Sequence, residues 1–425
     1  MKILALTYNF KPDTSPTAYC LEVLVEKLSD KHEITILTSL PQDKSISYNA
    51  DHDNYKVLRY IDPLAYFNYT IRQKLSDSKG VEKIFWAVSK FFSSFVNRCN
   101  YFFYPDGGYF WQRYVFKKIT RDIDLEEYEA IIASIGLYST QKLAVKLKKL
   151  NPSLKIVTYL NDPLPIDNPF IINTKHIFNE KAISESSIST SDALLANDII
   201  YNKYANGIFN DKKCKFINAD IPLLKQLPTN INEFNYHGDQ NSLKVLFAGS
   251  LYKEIRNPER AISSILQISD MNISIHLIGN INDCSDIVYK LSKKFPDRIF
   301  TYGTIERKLL YRAMEKADYL LNIGNDLEGQ VPSKIFEYMS SGKPIIHYHT
   351  KEYDTSIKYL KKFKHVYMYN LNGDDTIQTK ELFRFLHENR NIKVPYHTVK
   401  KILYANTPEY VAEQVHNVLL KIEVK

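Results

Sequence analysis

The sequence predicts an α/β protein made of two Rossmann-like, doubly wound domains facing each other across a cleft. Three observations carry this. The chain opens on a short apolar run, Ile3–Leu6, then a polar loop, an amphipathic stretch and a second apolar run at 32–38. A second series of the same kind starts at Leu243. The chain has 425 residues, more than one core normally organises, so two domains of roughly 150–250 residues are expected.

A strand covered on both faces reads as an unbroken apolar run, and Ile3–Leu6 is such a run. Thr17 to Ser29 then carries Leu21, Leu24, Val25 and Leu28 at helical spacing, and His32–Thr38 is the next strand. This strand–helix–strand opening begins a doubly wound sheet. The alternation resumes with strand Ala130–Ser134, helix Ser139–Leu150, strand Lys155–Leu160, and strands at Ala193–Ala196 and Cys214–Ile217. From Leu224 to Ser242 the chain turns polar and loses periodicity, which reads as a linker. The expected division is therefore a first domain over 1–225, a linker over 226–242 and a second domain over 243–406. In the second series, strands are expected at Leu243–Gly249, Ile273–Ile278, Ile299–Tyr302, Tyr319–Ile323 and Pro344–Ile346. Helices are expected at Pro258–Gln267, Ser285–Lys294, Arg307–Lys316 and Ser333–Ser340. Thr407-Pro408 is an N-cap followed by a proline, the usual start of a helix. That helix, within 407–425, has one apolar face (Val411, Val415, Val418, Leu419) and is expected to pack back on the first domain.

Composition narrows the function. Hydrophobic residues make up 44% and charged residues 24%, ordinary for a soluble globular chain. A net charge of +8 suits anionic small molecules or an anionic membrane surface. Nucleic acid is not an expected partner, because no recognition motif accompanies the charge. Cys20, Cys99, Cys214 and Cys284 are far apart, with neither metal-ligand spacing nor a disulfide framework; reduced thiols are expected. The opening apolar run is too short for a signal peptide, and no stretch of about 18 apolar residues exists. A cytoplasmic protein is expected, with no metal and no bound cofactor.

The segment richest in chemistry is Gly329-Gln330-Val331-Pro332-Ser333-Lys334-Ile335-Phe336-Glu337-Tyr338-Met339-Ser340-Ser341-Gly342-Lys343-Pro344. It reads as a turn, a helix and the start of a strand. Ser333 is expected to cap the helix, whose free N–H groups and positive end favour an anion. Lys334 in the first turn opposes the helix dipole, so an anionic ligand there is the natural partner. Glu337, a turn further on, can accept two hydrogen bonds from adjacent hydroxyls such as those of a ribose. Gly342 is a helix stop.

This segment resembles the signature of glycosyltransferase family 4 and its GT-B relatives, in the variant of bacterial surface-polysaccharide enzymes. Other pieces fall in the family's order: Met1-Lys2-Ile3-Leu4, the strand at 32–38, Gly249 followed by Arg256-Asn257-Pro258, and Ala317-Asp318. The resemblance implies a hexosyltransferase-like, metal-independent enzyme that moves a sugar from a UDP- or GDP-linked donor, with retention, to a glycan or lipid-linked acceptor. It implies that Gly249, Ser250 and Arg256 border the donor diphosphate. Pro332, Ser333 and Lys334 complete that site, Glu337 holds the ribose, and Gly303 and Thr304 meet the base. Asn161 and Asp162, directly after a strand and before Pro163, are implied near the acceptor hydroxyl. The sequence departs from the family at Gly329, where the first of two glutamates is usual and Glu328 is one position off, and at Ser250, where arginine is usual. The loop Asn9–Thr17 lacks the family's glycines. Two other functions share this architecture: a nucleotide-sugar epimerase and a non-catalytic nucleotide-sugar-binding subunit.

His32, His347 and His349 are expected to be structural or exposed rather than catalytic. The stretch 81–98 has an apolar face (Ile84, Phe85, Val88, Phe91, Phe92, Phe95) with basic residues alongside. It reads as a helix that packs on its own domain or lies on an anionic inner membrane.

Overall fold

The computed structural model describes residues 1–12, 15–41, 51–52, 54–76, 108–134, 138–160, 190–204, 215–228, 233–324, 331–352 and 354–422. The described chain forms two units, Met1–Pro222 with Pro408–Lys425, and Leu223–Thr407. Stretch 81–98, Asn161, Asp162, Glu328 and Gly329 lie outside the described residues.

In the first unit the apolar runs become strands β1 (Lys2–Leu6), β2 (Glu33–Ser39), β3 (Asp51–His52), β4 (Tyr55–Tyr60), β5 (Ala130–Ser134), β6 (Lys155–Leu160), β7 (Ala193–Ala196) and β8 (Lys215–Asn218). They form one sheet in the order β3-β4-β2-β1-β5-β6-β7-β8, parallel except for the antiparallel β3–β4 edge. Side chains alternate across β1: Ile3 and Ala5 enter one apolar cluster, Leu4 and Leu6 the other. That two-sided burial is why the run reads as unbroken.

Helix Pro16–Leu28 covers the first face. Its start is fixed locally: Ser15 Oγ accepts from Ala18 N at 3.3 Å, and Pro16 occupies the first turn. Helix Pro408–Lys421 lies beside it, placing Val411, Val415 and Leu419 in the same cluster as Leu21, Leu24 and Leu28. Each such side chain contributes about 1.5–3 kcal/mol when fully buried. The later helix also meets the residue before β2, where His32 Nε2 lies 2.9 Å from His416 Nδ1. Helices Tyr109–Asp122 and Tyr138–Leu150 cover the opposite face.

The second unit contains β9 (Leu243–Ala248), β10 (Ile273–Ile278), β11 (Ile299–Gly303), β12 (Tyr319–Ile323), β13 (Ile345–His349) and β14 (Val366–Asn370). All are parallel, in the order β11-β10-β9-β12-β13-β14. Counted along the chain this is 3-2-1-4-5-6, the dinucleotide-fold order, whose direction reverses between β9 and β12. Ligands of such sheets bind outside the carboxyl ends at that reversal.

The segment read as a linker belongs partly to this second unit's packed structure. Phe234 and Tyr236 are buried, and Tyr236 Oη donates to Ala313 O at 2.7 Å. A buried polar chain follows: Ser242 Oγ to Ser274 Oγ at 2.7 Å, Ser274 Oγ to His276 Nε2 at 2.8 Å, and His276 Nδ1 to Tyr302 Oη at 2.9 Å. The His276 ring stacks on Phe300 at 5.2 Å, and burial lowers its pKa to about 3.

Candidate functional site

Four of the six strands of the second sheet end in bare backbone at their carboxyl edge. β11 ends on Gly303, while β9, β10 and β12 run directly into Gly249, Gly279 and Gly324. These are four of only 13 glycines in the chain. Gly249 N donates to Ile278 O at 2.9 Å and Gly279 N to Gly303 O at 2.7 Å, so the edge is continuous across three strands. Gly279 has φ +125°, and a Cβ there would stand 2.0 Å from Gly249 O. No side chain fits at that approach. The sequence reading named Gly249 and Gly303 and missed Gly279 and Gly324. Their signal was present: each follows an apolar run directly.

Arg256 lies beside this edge. A Cβ on Gly249 would be 3.8 Å from Arg256 Nη1. The guanidinium is half-buried, and its one hydrogen bond among the described residues runs from Nη1 to Ser250 O at 3.2 Å. Its Nε is buried without a partner. No carboxylate pairs with it among the described residues; Asp354 acts on it through space, and burial dominates, lowering its pKa. A cation so desolvated favours an anionic ligand.

The loop carrying Arg256 is held in place. Tyr252 and Arg256 form an isolated antiparallel bridge, with Arg256 N donating to Tyr252 O at 2.8 Å. The turn after β10 supports it: Leu251 N donates to Asn280 O at 2.9 Å, Asn282 Nδ2 to Leu251 O at 2.9 Å, and Lys253 N to Asp283 Oδ1 at 3.1 Å.

Helix Lys334–Ser341 follows the buried Val331 and Pro332. Ser333 is its cap residue but has helical φ/ψ and makes no side-chain capping bond. The expected hydroxyl cap is thus corrected: a serine in that conformation does not aim its oxygen at the first-turn N–H groups. Weak bonds serve instead, Ile335 N to Pro332 O and Phe336 N to Ser333 O, both 3.3 Å. Gly342 ends the helix with φ +73°. Tyr338, to which the sequence assigns no role, fixes this helix to β9: Ala248 N donates to Tyr338 Oη at 2.7 Å.

Glu337 is buried, at 2% exposure. Its Oε1 accepts from Tyr311 Oη at 3.1 Å and Arg307 Nη1 at 3.4 Å, and its Oε2 from Lys334 Nζ. Arg307 and Tyr311 sit one turn apart on helix Arg307–Lys316, which follows the Gly303-Thr304 loop. Thr304 itself is exposed. Two cations therefore meet one carboxylate.

Across β12 and β13, Asn322 Nδ2 donates to His347 Nδ1 at 2.8 Å. His347 Nε2 lies 3.6 Å from Asp354 Oδ2. Burial lowers the His347 pKa to about 4, so the ring is neutral near pH 7. Stacking on His349 at 5.6 Å completes this side.

The structure thus gathers Gly249, Ser250 and Arg256 at one edge, with Tyr338 linking helix Lys334–Ser341 to it, and Gly303 leads to the Glu337 partners. In the first unit, β6 ends at Leu160, directly before Asn161 and Asp162. Beneath that end, Thr158, Gln141 and Ser191 form a buried triangle: Thr158 Oγ1 to Gln141 Oε1 at 2.9 Å, Gln141 Nε2 to Ser191 Oγ at 2.9 Å, and Thr158 Oγ1 to Ser191 Oγ at 2.7 Å. Among the described residues no group of three or more His, Cys, Asp or Glu could hold a metal ion. Nor is any described helix long and apolar enough to cross a membrane.

No protein-family model matches the sequence, and comparison with curated proteins gives no match. Solved structures do match. Sucrose-phosphate synthase from Thermosynechococcus elongatus is 12% identical, with 99% of this chain and 98% of that one covered and a TM-score of 0.62. An E. coli trehalose-6-phosphate complex bound with UDP-2-fluoro glucose is 11% identical over 100% of both chains, TM-score 0.63. The lipopolysaccharide outer core galactosyltransferase WaaB is 12% identical over 99% of both chains, TM-score 0.54. The chain has the α/β fold of these GT-B glycosyltransferases.

Proposed function

We propose that the chain is a glycosyltransferase that takes a sugar from a nucleoside diphosphate sugar, UDP- or GDP-linked, and transfers it to a hydroxyl of a glycan or lipid-linked glycan. The observation that carries this is Arg256: a half-buried guanidinium with no carboxylate partner among the described residues, set against bare glycine backbone where the sheet reverses. Leaving of the diphosphate concentrates negative charge, while the sugar takes on oxocarbenium character. Arg256, with Lys334 in the first turn of its helix, would stabilise that charge without rearrangement. Glu337 would accept hydroxyls of the ribose. Asn161 and Asp162 remain the proposed partners of the acceptor. The resemblance of the 329–344 segment supports retention, a role in bacterial capsule, O-antigen or exopolysaccharide assembly, and work at the cytoplasmic face of the inner membrane.

The test is thermal unfolding with UDP, GDP, ADP, CMP and UDP- or GDP-sugars. A ligand that binds only the folded state adds about 2.7 kcal/mol at a hundredfold excess over its dissociation constant. One diphosphate is expected to raise the midpoint, and Arg256→Met to weaken that diphosphate by about 10–100-fold, the worth of a charge-assisted hydrogen bond. Stability without ligand should hold in Arg256→Met. No shift with any nucleotide would overturn the reading. Conversion of a nucleotide sugar incubated alone would indicate an epimerase instead.

A further inference from the structure

In the first unit, the seam between helices Tyr109–Asp122 and Tyr138–Leu150 gathers charges of one sign. Lys146 stands at its centre. Burial, and then Lys142, Arg113 and Lys149, hold the Lys146 pKa below the ordinary lysine range. Lys142 and Lys149 lie four and three residues from Lys146 on one helix, spacings at which like charges cost stability. Lys148 shows the ordinary arrangement on the same helix: its Nζ lies 2.5 Å from Asp192 Oδ2. No carboxylate among the described residues pairs with Arg113, Lys146 or Lys149.

These cations are held in place. Lys146 Nζ donates to Gln112 Oε1 at 3.4 Å and stands 5.2 Å from the centre of the Phe116 ring. Arg113 Nη1 donates to Tyr109 Oη at 2.8 Å, with its guanidinium 5.5 Å from that ring's centre. Gln112 is 1% exposed. Its oxygen must be the atom turned to Lys146, because an ammonium only donates, and its Nε2 has no acceptor. Apart from Gln112 Oε1, the polar groups that meet at Lys146 are donors. The seam starts at the carboxyl edge of the sheet. Trp111, next to Gln112, meets Tyr8 edge-on at 5.3 Å, two residues past β1, where the strand order reverses between β1 and β5. Ligands of such sheets bind at that end.

We propose that this seam is an oxyanion site that takes a phosphate or diphosphate group, with Lys146 at its centre and Arg113, Lys142 and Lys149 around it. A singly charged anion would leave most of this charge unmatched, and ammonium groups bind phosphate as point charges. The phosphate can come from a soluble ester or from the headgroup of an anionic lipid. The site does not depend on the donor reading, since all its residues belong to the first unit.

The test uses the full chain carrying Arg256→Met, so that the arginine of the second unit does not contribute. Ionic strength is kept low, where surface charge is screened least. Pyrophosphate is titrated by calorimetry. Co-sedimentation is measured with vesicles of mixed phosphatidylglycerol and phosphatidylcholine, and of phosphatidylcholine alone. Gln112→Glu and Lys146→Gln are added in turn. Gln112→Glu keeps the shape and sets a carboxylate against Lys146. It is expected to raise the unfolding midpoint by about 2–4 °C. On an ordinary surface a buried carboxylate at this position would lower it, and misfolding cannot raise it. Both substitutions are expected to weaken the bound probe by about tenfold or more, the worth of a charge-assisted hydrogen bond. Pyrophosphate binding lost in this way assigns a soluble phosphate. Binding of anionic vesicles alone, lost in the same way, assigns a lipid headgroup. Binding of neither probe, binding that either substitution leaves intact, or a lowered midpoint in Gln112→Glu overturns the site.

Discussion

Where β9, β10 and β12 run into glycines and β11 ends on one, described strands of the first sheet run into side chains: Thr7 after β1, Leu40 after β2, Ile61 after β4 and Asn197 after β7. Two of these side chains, and the neighbouring Tyr8 and Asp62, are spent on local structure. Thr7 Oγ1 donates to Asn9 O at 2.9 Å, and Asn197 Oδ1 accepts from Ile200 N at 2.9 Å. Tyr8 Oη donates to Asp62 Oδ2 at 2.8 Å, and Asp62 also starts helix Pro63–Ser76 by accepting from Leu64 N at 3.0 Å. The inner strands of both sheets share one 3-2-1-4-5-6 winding, so the difference lies in what stands at the strand ends. Bare backbone admits a ligand close to peptide N–H groups, whereas a rim of side chains fixes its own loops. On one scaffold, four strand ends of the second sheet are glycine, and four described strand ends of the first carry side chains.

The strongest way to break this comparison is to fill the bare edge. Gly279→Val places carbon 2.0 Å from Gly249 O at a positive φ. It is expected to cost about 3 kcal/mol or more and to abolish the nucleotide-induced shift. A stable variant that still binds would show that the edge is not closely packed backbone.

Acid comes next, and it acts on the first unit too, where burial lowers the His32 pKa to about 4, but the second unit carries two such groups. His276 and His347 are fully buried there, with pKa values lowered to about 3 and about 4. The unfolded chain takes up these protons below about pH 6.5 and the folded chain does not. Stability is therefore full above about pH 6.5 and falls as pH drops from there toward 4. At pH 5 each histidine costs about 2 kcal/mol, at about 1.4 kcal/mol per pH unit. Denaturant unfolding at pH 7 and 5 reads this, and His276→Gln should flatten the dependence. An unchanged slope would remove His276 from the account.

Tyr338→Phe is expected to cost about 1–3 kcal/mol, because Ala248 N loses its partner in the core. Diphosphate affinity should fall with it, since helix Lys334–Ser341 loses its tie to β9. Tyr8→Phe is the control on the filled edge: about 1 kcal/mol of stability, with nucleotide affinity unchanged. Equal effects of the two substitutions on nucleotide binding would erase the contrast.

Much of the fold is legible in the sequence because most central strands are unbroken apolar runs. Ala130–Ser134, Lys155–Leu160, Ala193–Ala196 and Tyr319–Ile323 need no tertiary knowledge. Val366–Asn370 was not read, since it is only half-buried and its alternation of tyrosines with Val366 and Met368 is short. Helix Tyr109–Asp122 mixes buried Trp111, Val115 and Ile119 with six cations or tyrosines, which hides its stripe. The segment 233–242 looked like linker because its burial depends on Phe300, Tyr302 and His276, which are distant in the chain. At the site, glycines and charges are visible in sequence. What is not visible is partnership: that Tyr338 serves Ala248, that Ser333 does not cap, and that Glu337 meets Arg307 and Tyr311 from another helix.

The first unit is discontinuous, and this has a consequence in time. Its core takes Val411, Ala412, Val415, Val418 and Leu419 from a helix made after the whole second unit. At about 5–20 residues per second, a ribosome needs roughly 10–40 s to make the intervening stretch. During that interval the apolar face of helix Pro16–Leu28 waits without its cover, while the second unit is contiguous and can fold as it emerges. The half of the molecule begun first is therefore finished last, and a nascent chain stalled before Pro408 would carry a complete second core and an open first one.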